Sequence, residues 1–301
     1  MDRLNTVLLA TDFTDASKNA LEHAAFIAMK NDATLHVLHV RVPFTDSISA
    51  KESELPGAQT IQQAIDRVSE DEMAALSPKF EVPLVRKVIS DFDPADAICE
   101  YAKRNEADLI VVGTHGRRGF ARLMIGSIAG RVIRKSPVSV LAVGNGESHQ
   151  LVESSYRKIL VPVDFSDASK RALKHALALG ERYGSRVFLL HVVEGVPHPA
   201  YYYQDRDTVL EAFPKLIERT RSALDELVAD SNLEVTAIVA EGRAHRKIDE
   251  IAREHDVDLV VMGRQGLGDV GDLLLGSVTE RTLRRAPCPV LADLSAEAAN
   301  I

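Results

Sequence analysis

The sequence predicts two tandem three-layer α/β/α domains, each built on a five-stranded parallel sheet. Length, repetition and patterning all point there. The 301 residues amount to two domains at roughly 150 residues each. The chain also repeats itself: DFTDASKNALEHA at 12–24 and DFSDASKRALKHA at 164–176 agree at ten of thirteen positions, 152 residues apart (164 − 12). ADLIVVGTHG at 107–116 pairs with VDLVVMGRQG at 257–266, and IGSIAGRVIRKSPVSVLA at 125–142 pairs with LGSVTERTLRRAPCPVLA at 275–292. Within each copy, short β-branched runs alternate with longer amphipathic stretches, the pattern of βαβ units.

In chain order, strands are expected at 4–11, 33–41, 82–89, 107–113 and 138–143. Runs such as Leu109, Ile110, Val111 and Val112 are apolar on both faces, as they must be when helices cover both sides of the sheet. Helices are expected at 15–30, 58–76, 94–105 and 126–135, with Asp93-Pro94 supplying a cap followed by a first-turn proline. The second copy repeats the scheme from Lys158-Ile159-Leu160-Val161 to Pro289-Val290-Leu291-Ala292. A polar, glycine-bearing joint at 144–156 divides the chain into domains at 1–146 and 147–301. The copies differ most in the loops at 43–57 and 195–207, and Tyr201-Tyr202-Tyr203 in the latter reads as interface or loop packing before it reads as a stacking platform.

Composition narrows the function. Apolar residues at 46% and charged residues at 27% describe a globular chain that buries a full core. The net charge of −8 argues against a protein that coats nucleic acid or anionic membrane. Cys99 and Cys288 stand apart with no CxxC or Cys/His cluster, so neither a disulfide framework nor a structural zinc site is expected. No apolar run is long enough to span a bilayer and no signal segment leads the chain, so a cytoplasmic protein is expected.

The most specific chemical feature is a glycine spacing that occurs twice, Gly113-x2-Gly116-x9-Gly126-Ser127 and Gly263-x2-Gly266-x9-Gly276-Ser277. Each follows a buried strand and opens a helix. Glycines there let backbone N–H groups approach a phosphate, and the helix N-terminus favours an anion. The plainer reading makes the glycines turns and Ser127 and Ser277 caps. Asp12 and Asp164 end the first strand of each copy, where an open parallel sheet binds ligands. A carboxylate there either holds a ribose hydroxyl or a Mg²⁺ shell, or caps the next helix. His39, His191, His23 and His175 sit at paired positions without metal-ligand spacing and read as structural. The Walker A pattern and the GxSxG elbow are absent, and no acid/base pair is assignable, so efficient catalysis is not indicated. Residues 113–137 carry Arg117, Arg118, Arg122, Arg131, Arg134 and Lys135 and no acid, whereas 263–287 balance Arg264, Arg281, Arg284 and Arg285 against Asp269, Asp272 and Glu280. A triphosphate should therefore feel the first loop more strongly.

An acid at the end of strand one, Leu-His-Val at the end of strand two and G-x2-G-x9-G-S together resemble the universal stress protein family, in its ATP-binding branch. The resemblance covers nearly the whole chain, as a tandem pair. It implies strand order 3-2-1-4-5, ATP at the strand ends and dimer-like pairing of the domains. Position by position, it implies that Asp12 and Asp164 contact ribose or metal and that Val40 and Val192 offer backbone groups to adenine. Phosphates would be held by Gly113, Gly116, Gly126 and Ser127 in one copy and by Gly263, Gly266, Gly276 and Ser277 in the other, with His115 and Arg117 also among the ATP-binding residues. The chain departs from the pattern at Ala10, where proline is common, at Val163, where threonine is, and at Arg264-Gln265, which replace the small-hydroxyl-then-His pair seen as Thr114-His115. The function expected is a nucleotide-dependent stress sensor or regulator with an unnamed protein partner and a homodimer open. A slow ATP hydrolase or nucleotidyl transferase, or a scaffold with one degenerate site, competes with it.

Overall fold

The computed structural model describes residues 3–43, 58–114, 125–145, 149–151, 155–194, 214–266 and 275–294. The first half contains β1 (Thr6–Ala10), α1 (Asp15–Asn31), β2 (Thr34–Arg41), α2 (Ala58–Ala75), β3 (Leu84–Ser90), α3 (Pro94–Arg104), β4 (Leu109–Gly113), α4 (Ser127–Lys135) and β5 (Ser139–Val143). The second contains β6 (Lys158–Pro162), α5 (Asp167–Tyr183), β7 (Arg186–Val193), α6 (Pro214–Leu227), β8 (Val235–Glu241), α7 (Ala244–Glu254), β9 (Leu259–Gly263), α8 (Ser277–Arg285) and β10 (Val290–Asp293). The ends follow local chemistry. Thr14 caps α1 by accepting the Ser17 N–H, Asp93 caps α3 with Pro94 behind it, and α5 ends on Gly184 in the left-handed region at φ +67°.

Each half arranges its strands 3-2-1-4-5, as the resemblance implied. The two sheets are also continuous: the order is β3-β2-β1-β4-β5-β10-β9-β6-β7-β8. Within each half the pairing is parallel, and the junction of β5 with β10 is antiparallel, matching Val290 to Ala142, Leu291 to Leu141 and Ala292 to Val140. Strand parity sorts side chains into two cores. Val7, Leu9, Val111, Leu141, Ile159, Val261 and Leu291 pack beneath α1 and α5, while Leu8, Ile110, Val140, Leu160 and Val260 pack beneath α3, α4, α7 and α8. Both cores draw on both halves, so burial does not stop at the seam.

Polar contacts cross the seam as well. Buried Asp293 accepts the Ser139 hydroxyl at 2.9 Å and the His175 Nδ1 proton at 2.7 Å, and Arg182 donates to the Asn31 side chain. In the connecting segment Tyr156 is 2% exposed and lies against Phe26 and Tyr183. His23 Nε2 faces the His149 carbonyl at 2.9 Å, so that nitrogen carries the proton, and Nδ1 accepts from the Tyr156 hydroxyl at 2.6 Å. No described helix is long and apolar enough to cross a membrane.

Candidate functional site

At the carboxyl ends of the strands, β1 and β4 flank the point where strand order reverses, because their crossovers lead in opposite directions. The chain leaves β1 through a turn in which Phe13 adopts φ +65°, and Phe165 repeats it at +64° after β6. Bulky side chains avoid that region, so the same strain in both halves marks a turn the surroundings enforce. Asp12 is fixed inside it: Oδ1 accepts the Thr14 N–H at 3.2 Å, the Thr14 hydroxyl at 2.6 Å and the Ser17 hydroxyl at 2.5 Å. Asp164 Oδ1 accepts the Ser166 N–H at 3.0 Å and its hydroxyl at 2.5 Å. Both carboxylates therefore order the turn through one oxygen, while the helix caps themselves are Thr14 and Ser166. His39 supports the turn by reaching the Thr11 carbonyl at 2.8 Å and stacking near Phe13, and His191 does the same at the Val163 carbonyl and Phe165.

The next wall is the end of β2. The Leu38 carbonyl accepts the Thr11 N–H at 2.9 Å, so strand alternation aims the amide and carbonyl of Val40 to that same side, past the point where the chain has turned into α1. The Leu190 carbonyl and Val163 N–H place Val192 likewise. These are backbone donors and acceptors facing the cleft.

The glycines divide their work. A Cβ on Gly113 would stand 2.9 Å from the Ala16 carbonyl carbon and the Ser17 nitrogen, and one on Gly263 would stand 3.1 Å from Ala168. These first glycines admit the opening turn of α1 or α5 onto the strand end, so close helix packing is by itself enough to require glycine there. Gly113→Val should therefore lower stability by roughly 1–3 kcal/mol in urea unfolding, which makes it a poor probe of ligand binding. Gly266 is pressed against the acid instead, since its Cβ would fall 2.8 Å from Asp164 Oδ2. The third glycines close the base of each loop, Gly126 N–H to the Thr114 carbonyl at 2.6 Å and Gly276 N–H to the Arg264 carbonyl at 2.9 Å. They are also the N-cap residues of α4 and α8, with no side-chain cap. Ser127 and Ser277, exposed one position later, are thus not caps, because their side chains start inside the first turn. The N–H groups of the first turn of α4 have no acceptor within the helix until Gly130 reaches Gly126. His115, Gly116 and Arg117 lie outside the described residues, as do Arg118, Arg122 and Tyr201 to Tyr203.

Charge is distributed differently from the linear count. Arg131 pairs with Asp93, and Lys135 with Asp96 at 2.5 Å, so two of the six cations of the first loop region are held by the start of α3. Arg131 in turn holds the Asp93 carboxyl below its usual range. Arg264 is buried and donates to the Ser136 carbonyl at 3.0 Å across the seam, so the departure from the family pattern at this position is a tie between halves. A resident Mg²⁺ does not fit the chain's own donors: Asp12 Oδ1 already accepts three hydrogen bonds, and no group of three His, Cys, Asp or Glu side chains that could hold a metal occurs among the described residues. Cys99 and Cys288 are free, and burial pushes the Cys99 thiol up to about 11.

Phe13, Phe165, Arg264 and the Asp93–Arg131 pair are site features that sequence reasoning missed. Arg264 stood out there as a departure, Asp93 as a cap and Arg131 as a loop cation, but not the contacts they make. A cavity of about 340 Å³ lined by Lys18, Glu22, Lys79 and Phe80 includes none of the expected ligand contacts.

The universal stress protein family matches residues 4–144 and 155–292. A universal stress protein of Thermus aquaticus is 35% identical over 137 residues, 45% of this chain and 97% of that protein. One from Methanocaldococcus jannaschii is 31% identical over 153 residues, 45% of this chain and 93% of the relative. The crystal structure of a universal stress protein from Archaeoglobus fulgidus covers 97% of this chain and 99% of its own at a TM-score of 0.64 and 22% identity, which is a likeness of fold. With both halves matched in turn, the chain belongs to the universal stress protein family and carries two copies of its domain.

Proposed function

We propose that the protein binds an adenine nucleotide in each of its two clefts and acts as a nucleotide-dependent sensor or regulator in a stress response. The observation that carries this reading is the uncapped first turn of α4, repeated at α8, opening with glycine at the same end of the sheet as the cleft-facing backbone of Val40 and Val192. Orphan N–H groups with the positive end of the helix dipole suit phosphates, and a backbone donor and acceptor side by side suit a purine edge. Asp12 and Asp164, held by their turns, would accept a ribose hydroxyl. His115, Gly116 and Arg117 would complete the first phosphate loop. Any Mg²⁺ would arrive with the phosphates, whose oxygens supply what the chain's own donors do not.

Gly126 and Gly276 sit at φ −53° and −56°, values open to any residue, so the backbone admits aspartate, which is a good N-cap. Its carboxylate would occupy the phosphate position. Calorimetric titration of ATP into the full chain should give two nucleotides per chain, and Gly126→Asp or Gly276→Asp should each remove one while the fold is kept. Retention of both nucleotides in the double variant would refute the assignment. Because α8 carries Glu280 in its first turn and α4 carries no acid there, Gly276→Asp should leave the tighter site. Turnover of ATP in the same samples would make the protein an enzyme and not a sensor alone.

A further inference from the structure

The two halves differ most in charge where the third helix of each meets the fourth. In the first half, Asp93 and Asp96 at the start of α3 pair with Arg131 and Lys135 of α4, and Asp93 also caps its helix by accepting the Asp96 N–H. The repeat places Arg243, Arg246, Arg281 and Arg285 at those four positions. Both acids have become arginines while both cations remain. All four are exposed, and none forms an ion pair among the described residues. Glu194 is near, since it accepts the Ala244 N–H at 2.8 Å, but it reaches no guanidinium at ion-pair distance.

This arrangement is unfavourable for the helix that carries it. Arg243 is the N-cap residue of α7 with no side-chain cap, and Arg246 follows in the first turn, so two cations sit at the positive end of the helix dipole. Two more stand on the adjoining helix. Glu194 supplies one acceptor and one negative charge at this end, against four cations, and a local excess of that kind marks a place where a further anion would complete the balance. We propose that Arg243, Arg246, Arg281 and Arg285 form an anion site separate from the two clefts, and that its ligand is a compact, multiply charged phosphate such as a di- or triphosphate group. Guanidinium forks match phosphate oxygens in pairs. The site spans about one turn on each of two packed helices, and its surroundings hold Asp249, Glu250 and Glu280, each already paired with a neighbouring cation. That rim favours a short ligand over a polymer, as does the overall charge of −8.

His245 provides a local reporter. Its pKa is lowered first by burial and then by Arg281, Arg285, Arg246 and Arg243, which all act on the one ring. The full-length protein is titrated with inorganic tripolyphosphate at low salt while the His245 ring is followed by NMR. The His245 pKa is expected to rise on binding, and affinity to fall as salt increases. R243D/R246D rebuilds the pairing of the first half, so it should melt no lower than the wild type and bind about a hundredfold more weakly at this site. Gly276→Asp should leave the His245 response unchanged. An unmoved His245 pKa at saturation, equal affinity in R243D/R246D, or loss of the response in Gly276→Asp would overturn the second site. Duplex DNA that displaces tripolyphosphate at equal phosphate concentration would overturn the compact ligand.

Discussion

Replacing Tyr156 with alanine should destabilise the whole chain by about 4 kcal/mol in urea unfolding. The ring is buried between the halves, with centroids 5.7 Å from Phe26, 5.7 Å from Tyr183 and 5.6 Å from His23. A small apolar void already adjoins it among Leu4, Ile27, Leu141, Leu179 and Leu291, so the site has little means of collapsing around a smaller residue. Tyr156→Phe keeps the ring and removes only the hydroxyl that donates to His23, and should cost about 1–2 kcal/mol. If the alanine variant lay within about 1 kcal/mol of the wild type, the core would not be continuous across the seam.

Stability should also fall on acidification, and His23 should account for about 3 kcal/mol of the loss between pH 6.5 and 4. Burial lowers its pKa from 6.5 to about 4, with the hydrogen bond to the His149 carbonyl acting in the opposite direction. An unfolded chain takes up this proton near pH 6.5 and the folded chain does not until about 4. The unfolded state therefore binds more protons throughout that window, and stability rises with pH across it. Above 6.5 the neutral ring is common to both states and the penalty vanishes. Urea midpoints at pH 7 and 5, compared between wild type and His23→Gln, isolate the effect; equal pH dependence in both would assign the loss to other groups.

Much of the architecture was legible because repetition and capping are local signals. The expected strand at 107–113 and helix at 94–105 match β4 and α3 to within about two residues, the latter because Asp93-Pro94 caps and starts it. The seam was not legible. Val140-Leu141-Ala142 and Val290-Leu291-Ala292 announce burial on both faces, but an apolar run carries no mark of which strand lies beside it. The paired histidines illustrate the same limit: His23 and His175 occupy equivalent positions, and one meets Tyr156 while the other meets Asp293. Charge counted along the chain misled most, since Asp93 and Asp96 precede Arg131 and Lys135 by more than thirty residues and still neutralise them. At the cleft, residue types at the right spacing indicated where to look. The strain at Phe13 and Phe165 and the packing task of Gly113 depend on backbone angles and neighbours that spacing does not encode.

The antiparallel join of β5 and β10 releases the two halves from a constraint that binds ordinary twofold assemblies. In a homodimer each surface meets a copy of itself, so any substitution appears twice and must suit both sides of the axis. Here one polypeptide supplies both surfaces, and they need only fit each other. Arg264 reaches Ser136 from one side, while Thr114, its counterpart, turns back to the Val143 carbonyl. Such one-sided contacts are open only to a fused pair, and because the partners share a chain, the association does not weaken on dilution. Each copy is then free to specialise while its twin keeps the older task.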